Sequence, residues 1–201
     1  KEATLRQKTG HRKYNQFFVP KANGEKRLIE NPVDWLKSLQ GQLNKYFQAV
    51  YFTVRTSAAY GALISVADER QPRNIYTNAL QHIGKKWLLN VDIRKFFPSI
   101  TYSQVYARLR RPPFSFNPRA AECLSLIATF QRRLPTGAPT SPIISNIVCL
   151  KLDHMLLDLS KKHNWTYTRF IDDLSFSSPK KIKRKHIRAI EGIIHSQGYR
   201  M

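Results

Sequence analysis

The chain has 201 residues, with 34 Lys and Arg against 13 Asp and Glu, a formal net charge of +21. At 42% hydrophobic and 11% aromatic it can build a core, which excludes a disordered polyelectrolyte, and so basic a surface attracts polyanions, nucleic acid first. No apolar run reaches the roughly 18 residues of a membrane span, no zinc spacing exists, and the first ten residues lack the apolar segment of a signal peptide. The first residue is Lys rather than Met. Cys123 and Cys149 lie in apolar sequence and read as buried structural thiols in a reducing, cytoplasmic setting without a membrane partner.

Residues 15–31 read as a hairpin: Phe17-Phe18-Val19, then Asn23-Gly24, then Leu28-Ile29. Asn-Gly is a strong turn signal because both residues tolerate positive φ. A helix over about 32–50 follows, with Asn31 as N-cap, Pro32 at its first position and Asp34 in its first turn. Its apolar stripe is Leu36, Leu39, Leu43, Phe47 and Val50. Periodicity is then lost from 54 to 73, which reads as an irregular connection.

Residues 87–93 are a short apolar run suited to a buried strand, interrupted at Asn90 and Asp92. Helical patterns follow at 103–111 and at 118–133, the second opened by Asn117-Pro118. A longer helix over 141–162 opens with Ser141-Pro142. Residues 165–170 and 174–176 read as strands flanking Ile171-Asp172-Asp173. Ser178-Pro179 opens a last helix with Ile187, Ile190 and Ile194 inward, and Gly198 stops it. From Trp87 the order is strand, helices, strand, strand, helix. That is an α+β pattern resembling a split βαβ sheet without its closing strand.

With only 13 acidic residues, an acid on an apolar strand needs a reason. Asp92 sits in Leu-Leu-Asn-Val-Asp-Ile, where an unpaired buried carboxylate costs several kcal/mol. Asp172 and Asp173 are neighbours that repel unless a cation lies between them. If the two strand regions pack together, three hard oxygen donors converge, a set suited to Mg²⁺. Two such ions roughly 3.5–4 Å apart drive phosphoryl transfer in polymerases. A solvated turn is the alternative for the Asp-Asp pair alone.

Asn90-Val91-Asp92-Ile93-Arg94-Lys95-Phe96-Phe97-Pro98-Ser99-Ile100 resembles the first catalytic motif of bacterial reverse transcriptases. Leu134-Pro135-Thr136-Gly137-Ala138-Pro139-Thr140-Ser141-Pro142 resembles their Leu-Pro-Gln-Gly-Ala-Pro-x-Ser-Pro motif. Phe170-Ile171-Asp172-Asp173 stands where that family has Tyr-Ala-Asp-Asp, and Lys21-x₅-Arg27-Leu28-Ile29 resembles its fingers hairpin. Asn78-Ala79-Leu80-Gln81-His82 resembles the Asn-Ala-x-x-His signature of the retron branch.

The resemblance implies a right-hand polymerase fold: mainly helical fingers plus a hairpin over 1–86, and a split βαβ palm over 87–201. Finger-side helices are inserted at about 103–133, and the sequence ends where the family continues into a closing strand and a thumb. Asp92 and Asp172 become the principal Mg²⁺ ligands, with Asp173 the third. Phe97 becomes the ring beneath the nucleotide sugar; a core position is its alternative, because Phe96 is adjacent and only one can face the substrate. Arg27 and Lys21 would clamp the triphosphate, with a solvated hairpin as the rival reading.

Gly137 lets backbone approach the nucleotide or template, or serves with its prolines to set up the long helix. Thr136, Phe170 and Ile171 depart from the family pattern. Thr136 loses a longer hydrogen-bonding arm near the sugar, and Phe170 a hydroxyl near the primer end. Ile171 puts a stiff β-branched side chain where the sugar lies. Asn78 and His82 either bind nucleic acid or satisfy local backbone groups.

Lys180, Lys181, Lys183, Arg184, Lys185 and Arg188 make six basic residues in nine, with no acid. They form a solvated helix face or a phosphate-backbone track. Arg108, Arg110, Arg111, Arg132 and Arg133 are candidates to extend that track.

The family implies an RNA-directed DNA polymerase of a bacterial retron. Its template is a structured noncoding RNA, its substrates are deoxynucleoside triphosphates, and its product is branched RNA-linked DNA (msDNA). It would act with an effector protein in anti-phage defence. The alternatives are a group II intron-like or template-independent defence polymerase, and a catalytically idle RNA-binding scaffold.

Overall fold

The computed structural model describes residues 13–20, 24–64 and 72–201. Strands β1 (Tyr14–Pro20) and β2 (Lys26–Pro32) pair antiparallel, with Tyr14 opposite Pro32 and Pro20 opposite Lys26. Gly24, before β2, has φ +82°, and Asn23 of the expected turn lies outside the described residues. The hairpin is thinly buried: Tyr14 is in the core while Phe17, Phe18 and Val19 are exposed.

Helix α1 (Asp34–Val54) begins later than the Asn31-Pro32 signal implies and runs further. Asn31 and Pro32 stay in β2, opposite Asn15 and Tyr14, so Val33 takes the cap position without a side-chain bond. Leu36, Gln40, Phe47 and Tyr51 are its buried stripe. Helix α2 (Ile75–Leu80) is held by a reciprocal capping box between Asn74 and Thr77.

Strands β3 (Trp87–Asp92), β4 (Thr166–Phe170) and β5 (Asp173–Ser178) form an antiparallel sheet in the order β3-β5-β4. The pleat sends alternate side chains to opposite faces. Val91, Tyr167, Leu174 and Phe176 enter the core with Ile143, Ile144, Leu152, Leu156, Ile190 and Ile194. Those partners come from α6 (Ser141–Val148), α7 (Leu150–Lys162) and α8 (Arg184–Ser196). Asp92, Asn90, Asp173, Ser175, Ser177 and Thr168 occupy the other face.

The two outer edges differ. Beside β4, Arg169 N donates to Ala58 O (2.7 Å) and Tyr60 N to Arg169 O (2.9 Å). Strand β3 is the opposite edge, and just past its end Arg94 N donates to Arg200 O (2.8 Å).

Between β3 and β4 lie α3 (Phe96–Ser99), α4 (Tyr102–Leu109) and α5 (Pro118–Ala128). The pattern expected as helix to residue 133 stops at Ala128. Gln131 and Arg132 adopt positive φ (+49° and +61°), while Phe130 and Arg133 exchange backbone hydrogen bonds across this tight turn. The helix expected over 141–162 is two helices meeting at Cys149 (ψ −3°). Cys149 N still bonds Ser145 O and its carbonyl accepts from Asp153 N, so the break is local.

The last helix begins at Arg184, not after Ser178-Pro179, because Ser178 remains paired with Trp87 in the sheet. Gly198 (φ +85°) follows its end as expected. Cys149 is buried, but Cys123 is exposed. On α5 the inward stripe is Ala121, Ser125 and Ala128, and Cys123 falls outside it. Among the described residues no helix is long and apolar enough to cross a membrane.

Candidate active site

Asp92 ends β3 and Asp173 begins β5, and the register sets them directly opposite each other on the face away from α6, α7 and α8. Asp172 is beside them in the two-residue turn joining β4 to β5; its carbonyl accepts from Ile93 N (3.1 Å). Burial raises the Asp172 carboxyl above the ordinary carboxylate range. A bond from its own backbone N–H pulls the other way, the charges of Asp173 and Asp92 add to the rise, and Arg27 opposes it. Asp173 is raised too, by burial and then by Asp92.

Among the described residues no group of three or more His, Cys, Asp or Glu is placed so that it could hold a metal ion as the side chains stand. The donor chemistry nonetheless fits a hard divalent cation: three carboxylate side chains gather here, and their mutual repulsion is what such a cation relieves.

The turn carrying Asp172 is strained and held from beneath. Ile171 has φ +61°, a region that costs a β-branched residue about 1–3 kcal/mol. Arg169, fully buried, donates from Nε and Nη2 to Asp153 Oδ1 (2.8 Å) and Oδ2 (2.7 Å). Its Nη1 donates to Asn146 Oδ1 (2.9 Å) and to the Ile171 carbonyl (3.0 Å). Tyr167 OH donates to Asp153 Oδ1 (2.9 Å), and Asn146 Nδ2 to Gly61 O (2.9 Å).

A Cβ on Gly61 would lie 2.7 Å from Ile171 N and 2.8 Å from Ile171 Cγ1, so only glycine lets this turn seat. The Ile171 side chain, expected in the sugar's path, is half-buried against Gly61 and the core.

Sequence reasoning missed Asp153, Arg169 and Asn146. A signal existed: Asp153 falls in the buried stripe of α7 with Leu156 and Ser160, and Arg169 interrupts a buried strand.

A second arginine–carboxylate pair docks the hairpin. Glu30, buried in β2, accepts from Arg133 Nη1 (2.7 Å) and Nη2 (2.9 Å) and from Gln16 Nε2 (3.1 Å). Glu30 N donates to Thr136 O (2.6 Å), and Thr136 N to Glu30 Oε2 (3.4 Å). Gly137 has φ +122°, and a Cβ there would lie 3.1 Å from Glu30 O. Thr136 and Gly137 thus join the hairpin to the loop before α6, and Arg133 is committed to that joint rather than to a phosphate track.

Arg108 Nε donates to Ile147 O (3.1 Å) and Arg110 Nη1 to Phe116 O (2.5 Å), so these too are tied to local backbone. Arg27 is exposed on β2, its charge reaching Asp172. Phe96 is buried against Tyr199 (ring centroids 6.1 Å apart), which leaves half-buried Phe97 as the ring free to meet a substrate. Lys21 lies outside the described residues.

His82 bridges two strands on the carboxylate face: Nδ1 meets Ser177 Oγ and Nε2 meets Thr168 Oγ1, both at 2.7 Å. Both ring nitrogens are engaged with the sheet. Burial, then the charge of Lys85, lowers its pKa and favours the neutral ring. Asn78, on α2, has a buried Oδ1 without a hydrogen-bond partner among the described residues.

The basic run starts at the far end of the sheet. Trp87 pairs with Ser178 five positions from the Asp92–Asp173 pair, roughly 17 Å at the usual strand rise. Lys180, Lys181, Lys183, Arg184, Lys185 and Arg188 are all exposed there.

Residues 19–200 match the family described as reverse transcriptase (RNA-dependent DNA polymerase). The chain is 32% identical to the retron Mx162 reverse transcriptase of Myxococcus xanthus, over 94% of this chain and 42% of that protein. It is also 32% identical to the retron Ec86 reverse transcriptase of Escherichia coli, over 83% of this chain and 49% of that one. It therefore spans less than half the length of either relative. Among solved structures, telomerase from Candida albicans in complex with a fragment of telomeric RNA shares the fold. The TM-score is 0.58 at 10% identity, over 90% of this chain and 40% of that one.

Proposed function

The chain belongs to the reverse transcriptase (RNA-dependent DNA polymerase) family, and from that premise we propose that it is the fingers and palm of a bacterial retron reverse transcriptase. Residues 1–86 serve as fingers and 87–201 as palm, with finger-side helices inserted between β3 and β4. The enzyme copies a structured noncoding RNA into branched RNA-linked DNA (msDNA) by adding deoxynucleotides to a primer. It works in the bacterial cytoplasm, with an effector protein, in defence against phage.

Asp92 and Asp172, with Asp173 as the third donor, would hold two Mg²⁺ ions, which would supply a lowered pKa at the attacking hydroxyl and charge to offset the leaving pyrophosphate. Arg27, with Lys21, grips the triphosphate through charge-assisted hydrogen bonds. Phe97 packs beneath the sugar and excludes a 2′-OH, and Thr136, Gly137 and Ile171 border the nucleotide. His82 acts on nucleic acid through the sheet that it bridges, and Asn78 through its free carbonyl oxygen. The basic run holds phosphates.

The observation that carries this reading is the Asp92–Asp173 register with Asp172 in the adjoining turn. Primer extension on an RNA template, with Mg²⁺, tests it. Asp172→Asn should lose activity on the order of 10²–10³-fold, as removal of a charge-stabilising group does, with the fold intact by circular dichroism. Sequencing the nucleic acid that co-purifies should recover one RNA joined to DNA. A parent chain that makes no DNA at all would favour the idle scaffold instead.

A further inference from the structure

At the end of the sheet farthest from the carboxylates is a recess of about 270 Å³, lined by His163, Trp165, Ser178, Lys180, Lys183 and His186 among others. Three of these side chains are rings in contact. His163 stacks on Trp165 (centroids 4.7 Å apart, planes 26°), and His186 lies 4.6 Å from His163 and 5.1 Å from Trp165, edge-on to the indole. His163 is exposed, and Trp165 and His186 are half-buried, so ring surface remains open to solvent. Burial, and after it repulsion from His163, Lys185 and Lys183, lowers the His186 pKa, which favours the neutral ring.

Lys181 completes the rim, with its ammonium 5.5 Å from the centre of the Trp87 ring. No acidic residue lines the recess. An aromatic platform walled by unopposed ammonium groups matches the two surfaces of a nucleotide, a π-face and a phosphate. The recess is too small for a duplex, whose base faces are in any case hidden in the stack.

We propose that this recess binds one nucleotide of a single-stranded nucleic acid, its base stacked on the His163–Trp165–His186 cluster and its flanking phosphates held by Lys180, Lys181 and Lys183. The site is separate from the catalytic carboxylates, roughly 17 Å away along β3 and β5. It anchors a strand that is not being copied at that moment. It rests on the reading of the chain as a nucleic-acid polymerase but does not need the carboxylates to function.

The test uses the full chain and fluorescent decamers of uridine or deoxythymidine, each in a second version carrying a photoreactive thio-base. Crosslinks should map to His163, Trp165 or His186. Trp165→Leu should weaken decamer binding about tenfold, the usual cost of losing one base-stacking partner, with an unchanged salt slope, and Trp165→Phe should restore it. His163→Leu, at an exposed position that folding tolerates, should weaken it in the same direction. Replacing Lys180, Lys181 and Lys183 together by Gln should flatten the salt dependence by about two in slope, near 0.7 per phosphate contact.

Tighter binding of the uridine decamer would mark the strand as RNA, and of the deoxythymidine decamer as DNA product. Unchanged affinity in both Trp165→Leu and His163→Leu, or crosslinks confined to other peptides, would overturn the proposal. Failure of the polymerase reading is visible separately: the parent would bind and crosslink the decamer yet extend no primer.

Discussion

Two bidentate arginine–carboxylate pairs share the same 2.7 Å closest approach, yet they stand in different surroundings. Arg169–Asp153 is wholly buried at 0% exposure on both sides, whereas Arg133 keeps 24% of its side chain in water beside Glu30 at 1%. Burying ions costs more than their attraction returns unless every lone pair and proton finds a partner. Arg169 meets that demand through Asn146 and the Ile171 carbonyl, and so its geometry is locked to the turn that carries Asp172. Arg133 joins two separate pieces of chain, the hairpin and the loop before α6, at a boundary that water reaches. The first pair fixes the turn that carries Asp172, and the second fixes the hairpin that carries Arg27 against the loop before α6.

The largest effect should come from breaking the buried pair. Arg169→Met leaves the buried Asp153 charge without a cation, held only by hydroxyl donors such as Tyr167, which should cost about 3–5 kcal/mol in urea denaturation and abolish extension. The double variant Arg169→Met, Asp153→Leu should regain most of that stability without regaining activity. Adding Ile171→Gly, which adopts positive φ freely, should then recover part of the rate. Full activity in the double variant would show that the pair serves the core alone.

A smaller, different loss is expected at the second joint. Glu30→Gln should cost about 1.5–3 kcal/mol, in the range of a charged hydrogen bond, and raise the KM for deoxynucleotide more than it lowers kcat. An unchanged KM would separate Arg27 from the joint.

The smallest effect is a pH dependence at His82. Its folded pKa lies below the unfolded value near 6.5, so the unfolded chain takes up the proton first. The contribution is therefore present above about pH 6.5 and lost as pH falls below it. Thermal unfolding of His82→Gln against the parent between pH 7.5 and 5 should show the difference shrinking with acid.

What the sequence made legible was local. Asn-Gly with flanking apolar residues placed the hairpin, and apolar runs around Asp92 and Asp172-Asp173 placed the sheet and its acids. Helix boundaries were less legible where a tertiary partner outbid a local signal, as when β1 kept Asn31 and Pro32 in a strand. Asp153, Arg169 and Asn146 escaped notice because their meaning is in pairings of 16 and 23 residues' separation. Arg133 looked like one more cation in a basic chain; its partner Glu30 is 103 residues away. The run from Lys180 to Arg188 was visible, but its distance from the carboxylates depends on a strand register that composition does not encode.

Among the described residues no strand pairs with the outer edge of β3, while Arg94 N, just past its end, already donates to Arg200 O. Backbone groups on an edge are a template for a further strand, and Trp87 and Leu88 expose apolar surface beside them. Lys85 and Lys86 stand immediately before β3, both exposed. The segment after α8 therefore meets this edge at its Asp92 end, and the two lysines charge the opposite end.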